Sequence, residues 1–360
     1  MRAAVWHGAG DVRVEERPEP QAPGPGEAVV AVELAAICGT DVAEYHDGPH
    51  MIPVGAPNRL TGKQAPLILG HEYTGTVAAV GEGVEGLREG DRVCGDACLR
   101  CHRCRWCRRG EYNVCRLGAS VGLHDDGAFA PLLKVPAYTL VRVPPCLDGA
   151  QAAITEPLAV GLHAVEQGGL RPGDVVVVVG YGMIGAAAAL MARATRAGEV
   201  VAVDPRPARR ELATRTAAAD AFDPTREDVR REVLRRTEGA GADLVIDCSG
   251  VPDAFGASVE LARRAGTVVL CGLGHHPAAV DLNRLVYFER RVVGSLGYRF
   301  DHEAVLRLLA DGRVDPAPLT GGPIELDRIV PEGFERLLHD LSAPLRILVA
   351  PNQAGGGRTS

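Results

Sequence analysis

Five consecutive valines, Val175–Val179, run directly into Gly180-Tyr181-Gly182-Met183-Ile184-Gly185 and then into an alanine-rich stretch reaching Arg196. An apolar run of that length bounded by glycine reads as a buried strand. Gly180 permits a tight turn, Gly182 lets the backbone approach a pyrophosphate, and Gly185 allows helix and strand to pack closely. Met183 and Ile184 open the helix, whose first N–H groups face the phosphates. A bare GxGxxG is a weak signal, but strand, glycines and helix in this order make a dinucleotide site. Asp204 ends the next strand, Glu199–Val203, at the interval expected for the acid that binds the adenosine ribose diol. An acid there repels a 2′-phosphate and favours NAD over NADP. Arg206 and Arg209 act against that preference, because either could reach a phosphate. The competing interpretation is a tight turn in an α/β fold serving another ligand. Tyr181 is bulky for its place, and packs either over the cofactor or against the N-terminal lobe.

The same alternation continues along the chain. Ala208–Thr216 reads as a helix, Leu244–Asp247 as a strand, Phe255–Arg264 as a helix and Thr267–Cys271 as a strand. Gln151 to Gly168 reads as one helix with Pro157 near its beginning. Such βαβ repetition implies a doubly wound parallel sheet covered by helices. Before residue 150 the pattern differs. Glu27–Leu34, Tyr73–Val80 and the alternating residues around Val12 and Val14 read as strands, and Gly90–Val93 as a turn entering one, in a lobe punctuated by Gly and Pro. From about Gly297 the chain leaves the parallel sheet. Helices at Glu303–Ala310 and Gly333–Leu341 precede a last strand, Arg346–Val349. The expected division is 1–150 for a β-rich domain, 151–296 for the nucleotide domain, and 297–360 for a return to the first. Gly355–Ser360 reads as a frayed tail.

A chain of 360 residues is long for one core and implies two domains. Its net charge of −7 shows no basic footprint for nucleic acid. Arg103, Arg105, Arg108 and Arg109 form the one basic patch, beside cysteines whose thiolate charge they offset. The start lacks the apolar core of a signal peptide. The uncharged stretch Val175–Ala192 is broken by glycines and reads as buried protein rather than a membrane span. The expected location is cytoplasmic, where ten cysteines serve as metal ligands or core residues rather than disulfides.

Cys101, Cys104, Cys107 and Cys115 have the spacing C-x2-C-x2-C-x7-C, that of a closed tetrathiolate zinc site that is structural rather than catalytic. A register shifted to Cys98 would require a fourth ligand at Tyr112, and His102 is not needed. A second set is scattered: Cys38 in Cys38-Gly39-Thr40-Asp41, His71 and Glu72 after Gly70, and Glu156 before Pro157. Singly, each has an ordinary explanation, as a core cysteine, a core histidine or a first-turn acid. Together they supply thiolate, imidazole and carboxylate, a set that holds zinc with one position open.

At these residues the chain resembles the zinc-dependent medium-chain alcohol and polyol dehydrogenases, over nearly its whole length. The resemblance implies a GroES-like catalytic domain joined to a Rossmann domain, and one catalytic and one structural zinc. It places the catalytic ligands on Cys38, His71 and Glu156, with Glu72 as a carboxylate near the metal. Thr40 would bind the alcohol and begin proton transfer. Glu156-Pro157-Leu158-Ala159 is similar to the polyol, threonine and butanediol branch. Glu44–Pro49, Leu60-Thr61-Gly62, Gly118–Phe129 and Thr320–Ile324 with Gly333-Phe334-Glu335 resemble its butanediol dehydrogenases. That likeness implies oxidation of a vicinal diol to a hydroxyketone. A sorbitol-like, cyclic-polyol or amino-polyol dehydrogenase is the alternative, and a nucleotide-sensing zinc protein the non-enzymatic one. Three positions depart from the pattern. Ala43 stands where the family often has a histidine of the proton route, with His46 three residues on as a substitute. Ala56–Arg59 replaces a common histidine-proline, and Arg59 there is either an anion contact or a solvated side chain. Gly-Tyr-Gly-Met replaces the usual turn. The branch also implies a homodimer or homotetramer, with Val292–Leu296 as a candidate interface strand.

Overall fold

In the computed structural model, residues 1–274 and 276–352 are described, and the tail expected at Gly355–Ser360 lies outside them. The chain divides into two compact units, Met1–Glu156 with Leu319–Ser360, and Pro157–Pro318.

The first unit is built around the strand Glu27–Ala36, whose residues Ala28, Val29, Val30, Val32, Ala35 and Ala36 are buried. Glu72–Val80 pairs antiparallel along one edge of it, and Leu132–Pro136 and Arg346–Ala350 along the other. Arg92–Gly95 and Leu140–Arg142 extend the sheet one way, and Thr320–Glu325 the other. Arg2–Gly8, Asp11–Glu16 and Leu67–Ile68 form a smaller sheet. Trp6, Tyr73, Phe129 and Phe334 are fully buried in the core. The register positions the chemistry: Ala36 faces Glu72 on one side and Leu348 on the other. The first residues of the strands Glu72–Val80 and Arg346–Ala350 therefore flank the end of Glu27–Ala36, where Cys38 follows.

The second unit holds six parallel strands, in the order Asp220–Phe222, Glu199–Val203, Val175–Val179, Ala242–Asp247, Ala262–Leu270, Arg291–Gly294. The order runs outward in both directions from Val175–Val179, which is the Rossmann arrangement, with its crevice at the switch point beside that strand. Val176, Val177 and Val178 are wholly buried, as a central parallel strand requires. No described helix is long and apolar enough to cross a membrane.

Several elements end elsewhere than expected. The helix read as Gln151–Gly168 is two, Gly149–Ala153 and Thr155–Gly168, parted at Ile154. Pro157 lacks an N–H and fits the first turn of the second helix, not the interior of a longer one. The helix read as Phe255–Arg264 stops at Leu261, and Arg263 and Arg264 lie on the strand Ala262–Leu270, where Arg263 bonds Asp243 at 2.5 Å. The segment Gly333–Leu341 opens as a π-helical turn, Ile329–Phe334, followed by the short helix Glu335–His339. A Cβ at Gly333 would lie 2.4 Å from Ile37, so the glycine is what lets this turn seat on the core. The return to the first unit begins at Leu319 rather than 297. The helix His302–Ala310 buries Val305, Leu306 and Leu309, and Arg313 bonds the Ala194 carbonyl, so residues up to 318 belong to the second unit.

Candidate functional site

Cys38 ends the extended segment after Glu27–Ala36 and is the N-cap of the helix Gly39–Asp47. Its backbone N–H donates to Asp41 Oδ2 at 2.9 Å, which fixes the first turn. Gly70 holds a left-handed φ of +98°, and a Cβ there would lie 2.9 Å from Phe129. That turn delivers His71 and Glu72 beside Cys38. One donor atom each from Cys38, His71 and Glu72 lies within 4.8 Å of the others. Glu156 is not in that set. It occupies the first turn of the helix Thr155–Gly168, near enough to act electrostatically on Arg346.

Two residues not singled out above complete the cluster. Asp41 Oδ1 lies 3.4 Å from His71 Nδ1, and both are buried. This is the carboxylate–histidine pairing that fixes a ligating ring's orientation and basicity. Arg346 Nε contacts both oxygens of Glu72, and its Nη2 lies 3.4 Å from Cys38 Sγ. Burial, then the nearby Glu72, pushes the Cys38 thiol up. Burial disfavours charge on His71, but Asp41 and then Cys38 outweigh it and lift the ring well above its ordinary value. Without a cation the cluster therefore holds protons that a metal would displace, and the donor set fits zinc. Both residues had a signal. Asp41 closes the Cys38–Asp41 turn, and Arg346 is a charge opening an otherwise apolar strand.

Thr40 Oγ1 lies 3.7 Å from Cys38 Sγ. His46 is exposed in the last turn of the same helix. Six residues beyond Thr40, it stands about 120° around the helix from it, so the helix does not bring the two together. Ala43, three residues on, is on the Thr40 side. Arg59 is exposed.

The four-cysteine lobe forms a compact thiol cluster. Its sulfur separations are 3.5 Å for Cys104–Cys107 and Cys101–Cys115, 3.9 Å for Cys104–Cys115, and 4.0 Å for Cys101–Cys107. A tetrahedron with Zn–S bonds of about 2.3 Å has edges of about 3.8 Å, so these thiols fit zinc closely. The Cys107 N–H, with that of Arg116, lowers Cys104 to about 6, leaving it a thiolate at neutral pH. Cys98 and His102 stand outside the cluster. His102 packs edge-on against Tyr138 instead.

In the second unit Gly180 has φ +84°, and a Cβ at Gly185 would lie 1.9 Å from the Gly180 carbonyl oxygen. At Gly182 a Cβ would meet nothing within 4 Å, which is the open space a pyrophosphate requires. The helix Met183–Thr195 begins there, with Ile184 and Gly185 in its first turn. Asp204 is buried. Its carboxylate accepts from the Tyr181 N–H at 2.8 Å and from the Arg206 N–H at 2.9 Å. Arg209 is half-buried, with Nε unpaired. Tyr181 is fully buried, with its hydroxyl 2.7 Å from Thr216 Oγ1 of its own unit.

Comparison with known proteins agrees with this geometry. Residues 24–145 match the family described as alcohol dehydrogenase GroES-like domain, and 184–311 match zinc-binding dehydrogenase. The chain is 36% identical to (R,R)-butanediol dehydrogenase of Bacillus subtilis over 98% of its own length and all of that protein. It is 33% identical to the Neisseria gonorrhoeae protein of the same name, again over 98% of its length and all of the relative. The crystal structure of 2R,3R-butanediol dehydrogenase from Bacillus subtilis superposes with a TM-score of 0.92 at 35% identity, covering 98% of this chain and 99% of that one. The chain belongs to the zinc-dependent medium-chain alcohol dehydrogenases. This dehydrogenase is a zinc- and NAD-dependent oxidoreductase, with a GroES-like domain, a Rossmann sheet and two distinct metal-binding motifs.

Proposed function

We propose that this dehydrogenase oxidises a vicinal diol such as 2,3-butanediol to a hydroxyketone such as acetoin with NAD, and runs in reverse. The observation that carries the reading is full-length similarity to proteins named (R,R)-butanediol dehydrogenase, joined to a thiolate–imidazole–carboxylate cluster. Cys38 and His71 would hold the catalytic zinc, with Glu156 as carboxylate ligand. Glu72, neutralised by Arg346, stays beside the metal. Zinc supplies a Lewis acid for the alcohol oxygen, and NAD supplies the hydride acceptor. Asp41 keeps His71 in the ligating orientation. Thr40 Oγ1 accepts the alcohol proton and passes it on. With Ala43 on that face and His46 turned away, the onward route is water rather than His46. Gly182 and the N–H groups of Met183 and Ile184 bind the pyrophosphate, and Asp204 the ribose diol, with Arg209 beside it. Cys101, Cys104, Cys107 and Cys115 hold the structural zinc.

The edge strand Arg291–Gly294 and the helix Leu282–Phe288 support assembly as a homodimer or homotetramer. Val286 and Tyr287 are 74% and 76% exposed, and Val292 and Leu296 are exposed beside a sheet edge that no other described strand pairs with. Cytoplasmic residence fits ten cysteines unpaired as disulfides.

A substrate panel followed by NADH absorbance, run with NAD and NADP in parallel, tests the reading. Turnover of 2,3-butanediol with NAD, and of acetoin with NADH in the reverse direction, is expected. Failure of both, with activity on a cyclic polyol, would overturn it in favour of the polyol branch.

A further inference from the structure

The second unit carries a donor cluster separate from both motifs above. His163 and Glu166 stand three residues apart on the helix Thr155–Gly168, and so share one face. Asp301 comes from the N-cap of the helix His302–Ala310. One donor atom from each lies within 4.8 Å of the others. His163 Nδ1 is 3.3 Å from Asp301 Oδ2, and the two residues are 2% and 4% exposed. Around a zinc ion with N and O ligands at about 2.1 Å, a tetrahedral edge is about 3.4 Å, so this pair already stands at the ligating separation. Glu166 is exposed, and its carboxylate reaches the Asp301 carboxylate by a side-chain hydrogen bond.

Two further features point to a ligand. His163 Nδ1 is buried and has no hydrogen-bond partner, a state that costs about 1–3 kcal/mol when nothing relieves it. Asp301 occupies an N-cap yet accepts no hydrogen bond from its helix. Its carboxylate turns instead to His163, held by the Arg299 N–H at 2.8 Å. The other ring nitrogen, Nε2, lies 3.4 Å from the Gln167 side-chain amide. The amide nitrogen faces Nε2 and donates to it, which leaves the ring proton on Nδ1; a metal bound there would displace that proton and turn the Gln167 amide to offer its oxygen to Nε2–H.

We propose that His163, Glu166 and Asp301 form an additional divalent-cation site, binding Zn2+ through Nδ1 and two carboxylate oxygens with water in the remaining positions. The two carboxylates balance the ion's charge. Without thiolates the site is weaker and more exchangeable than the cysteine-containing ones. A protonated His163 paired with Asp301 would use the same atoms and bind no metal, and the test separates the two.

Holoprotein retaining its tightly held zinc is dialysed against a weak chelator, then titrated with Zn2+ by calorimetry, and bound zinc is counted. Wild type is expected to take up one more ion per chain than Glu166→Gln or Asp301→Asn. Loss of a ligand should weaken that uptake by more than about tenfold, since even outer partners of a metal ligand are worth that much. Glu166 is exposed, so Glu166→Gln keeps the fold. Equal uptake by wild type and both variants, or none by wild type, overturns the proposal.

Discussion

Arg346 Nε lies 2.8 and 3.0 Å from the two carboxylate oxygens of Glu72, with both residues buried. The pairing joins the last strand of the chain to the strand after Gly70, and the same guanidinium reaches Cys38 Sγ. The negative charge on Glu72 is thereby balanced inside the protein, next to a thiol and an imidazole that would bind a cation.

Removing the guanidinium alone leaves a buried carboxylate without its partner. Arg346→Met is expected to lower stability by about 3–5 kcal/mol in urea unfolding. The double variant Arg346→Met with Glu72→Met removes both charges and recovers most of that loss. Equal destabilisation in single and double variants would contradict a charge-pair origin.

Asp41 acts on the metal only through His71. Asp41→Asn is expected to speed zinc release to a chelator from the Cys38 site, with affinity down by about 10–100-fold, while the tetrathiolate zinc stays bound. Release kinetics matching wild type would show that Asp41 does not position the ring.

The lobe of four cysteines makes a prediction about register. Cys104→Ser should lose one zinc per chain and open the segment 98–118 to protease, because a closed structural site contributes folding energy directly. Cys98→Ser should keep full zinc content. Zinc loss in the Cys98 variant would move the cluster one step along the chain.

Much of this was legible in the residues because local chemistry carried it. The valine run, three glycines and the following helix specify strand, turn and phosphate cradle within eleven residues. The cysteine cluster is likewise local. Arg346 was not legible as a partner of Glu72, because their meeting depends on both strands flanking Ala36, a register written across more than 270 residues. The helix limits near Ile154 and Leu261 are less legible, because local propensity continues through both points; Pro157 fits only a first helical turn, and pairing of Ala262–Leu270 in the sheet ends the other helix. The Tyr181 environment depends on Thr216, a contact that no motif announces.

The two glycines of the nucleotide turn should behave differently. Gly185→Ala puts a Cβ against the Gly180 carbonyl and is expected to destabilise the fold. Gly182→Ala meets no protein atom, so its thermal midpoint should stay near wild type while KM for NAD rises. A Gly182→Ala enzyme with unchanged KM would remove the pyrophosphate from this turn.

The central claim is that Cys38 holds a zinc needed for diol oxidation, separate from the tetrathiolate zinc. Steady-state oxidation of 2,3-butanediol by Cys38→Ala, read with zinc content on the same sample, tests it most directly. The expected result is one zinc per chain retained and turnover reduced by about a thousandfold or more. Wild-type turnover in that variant would contradict the account.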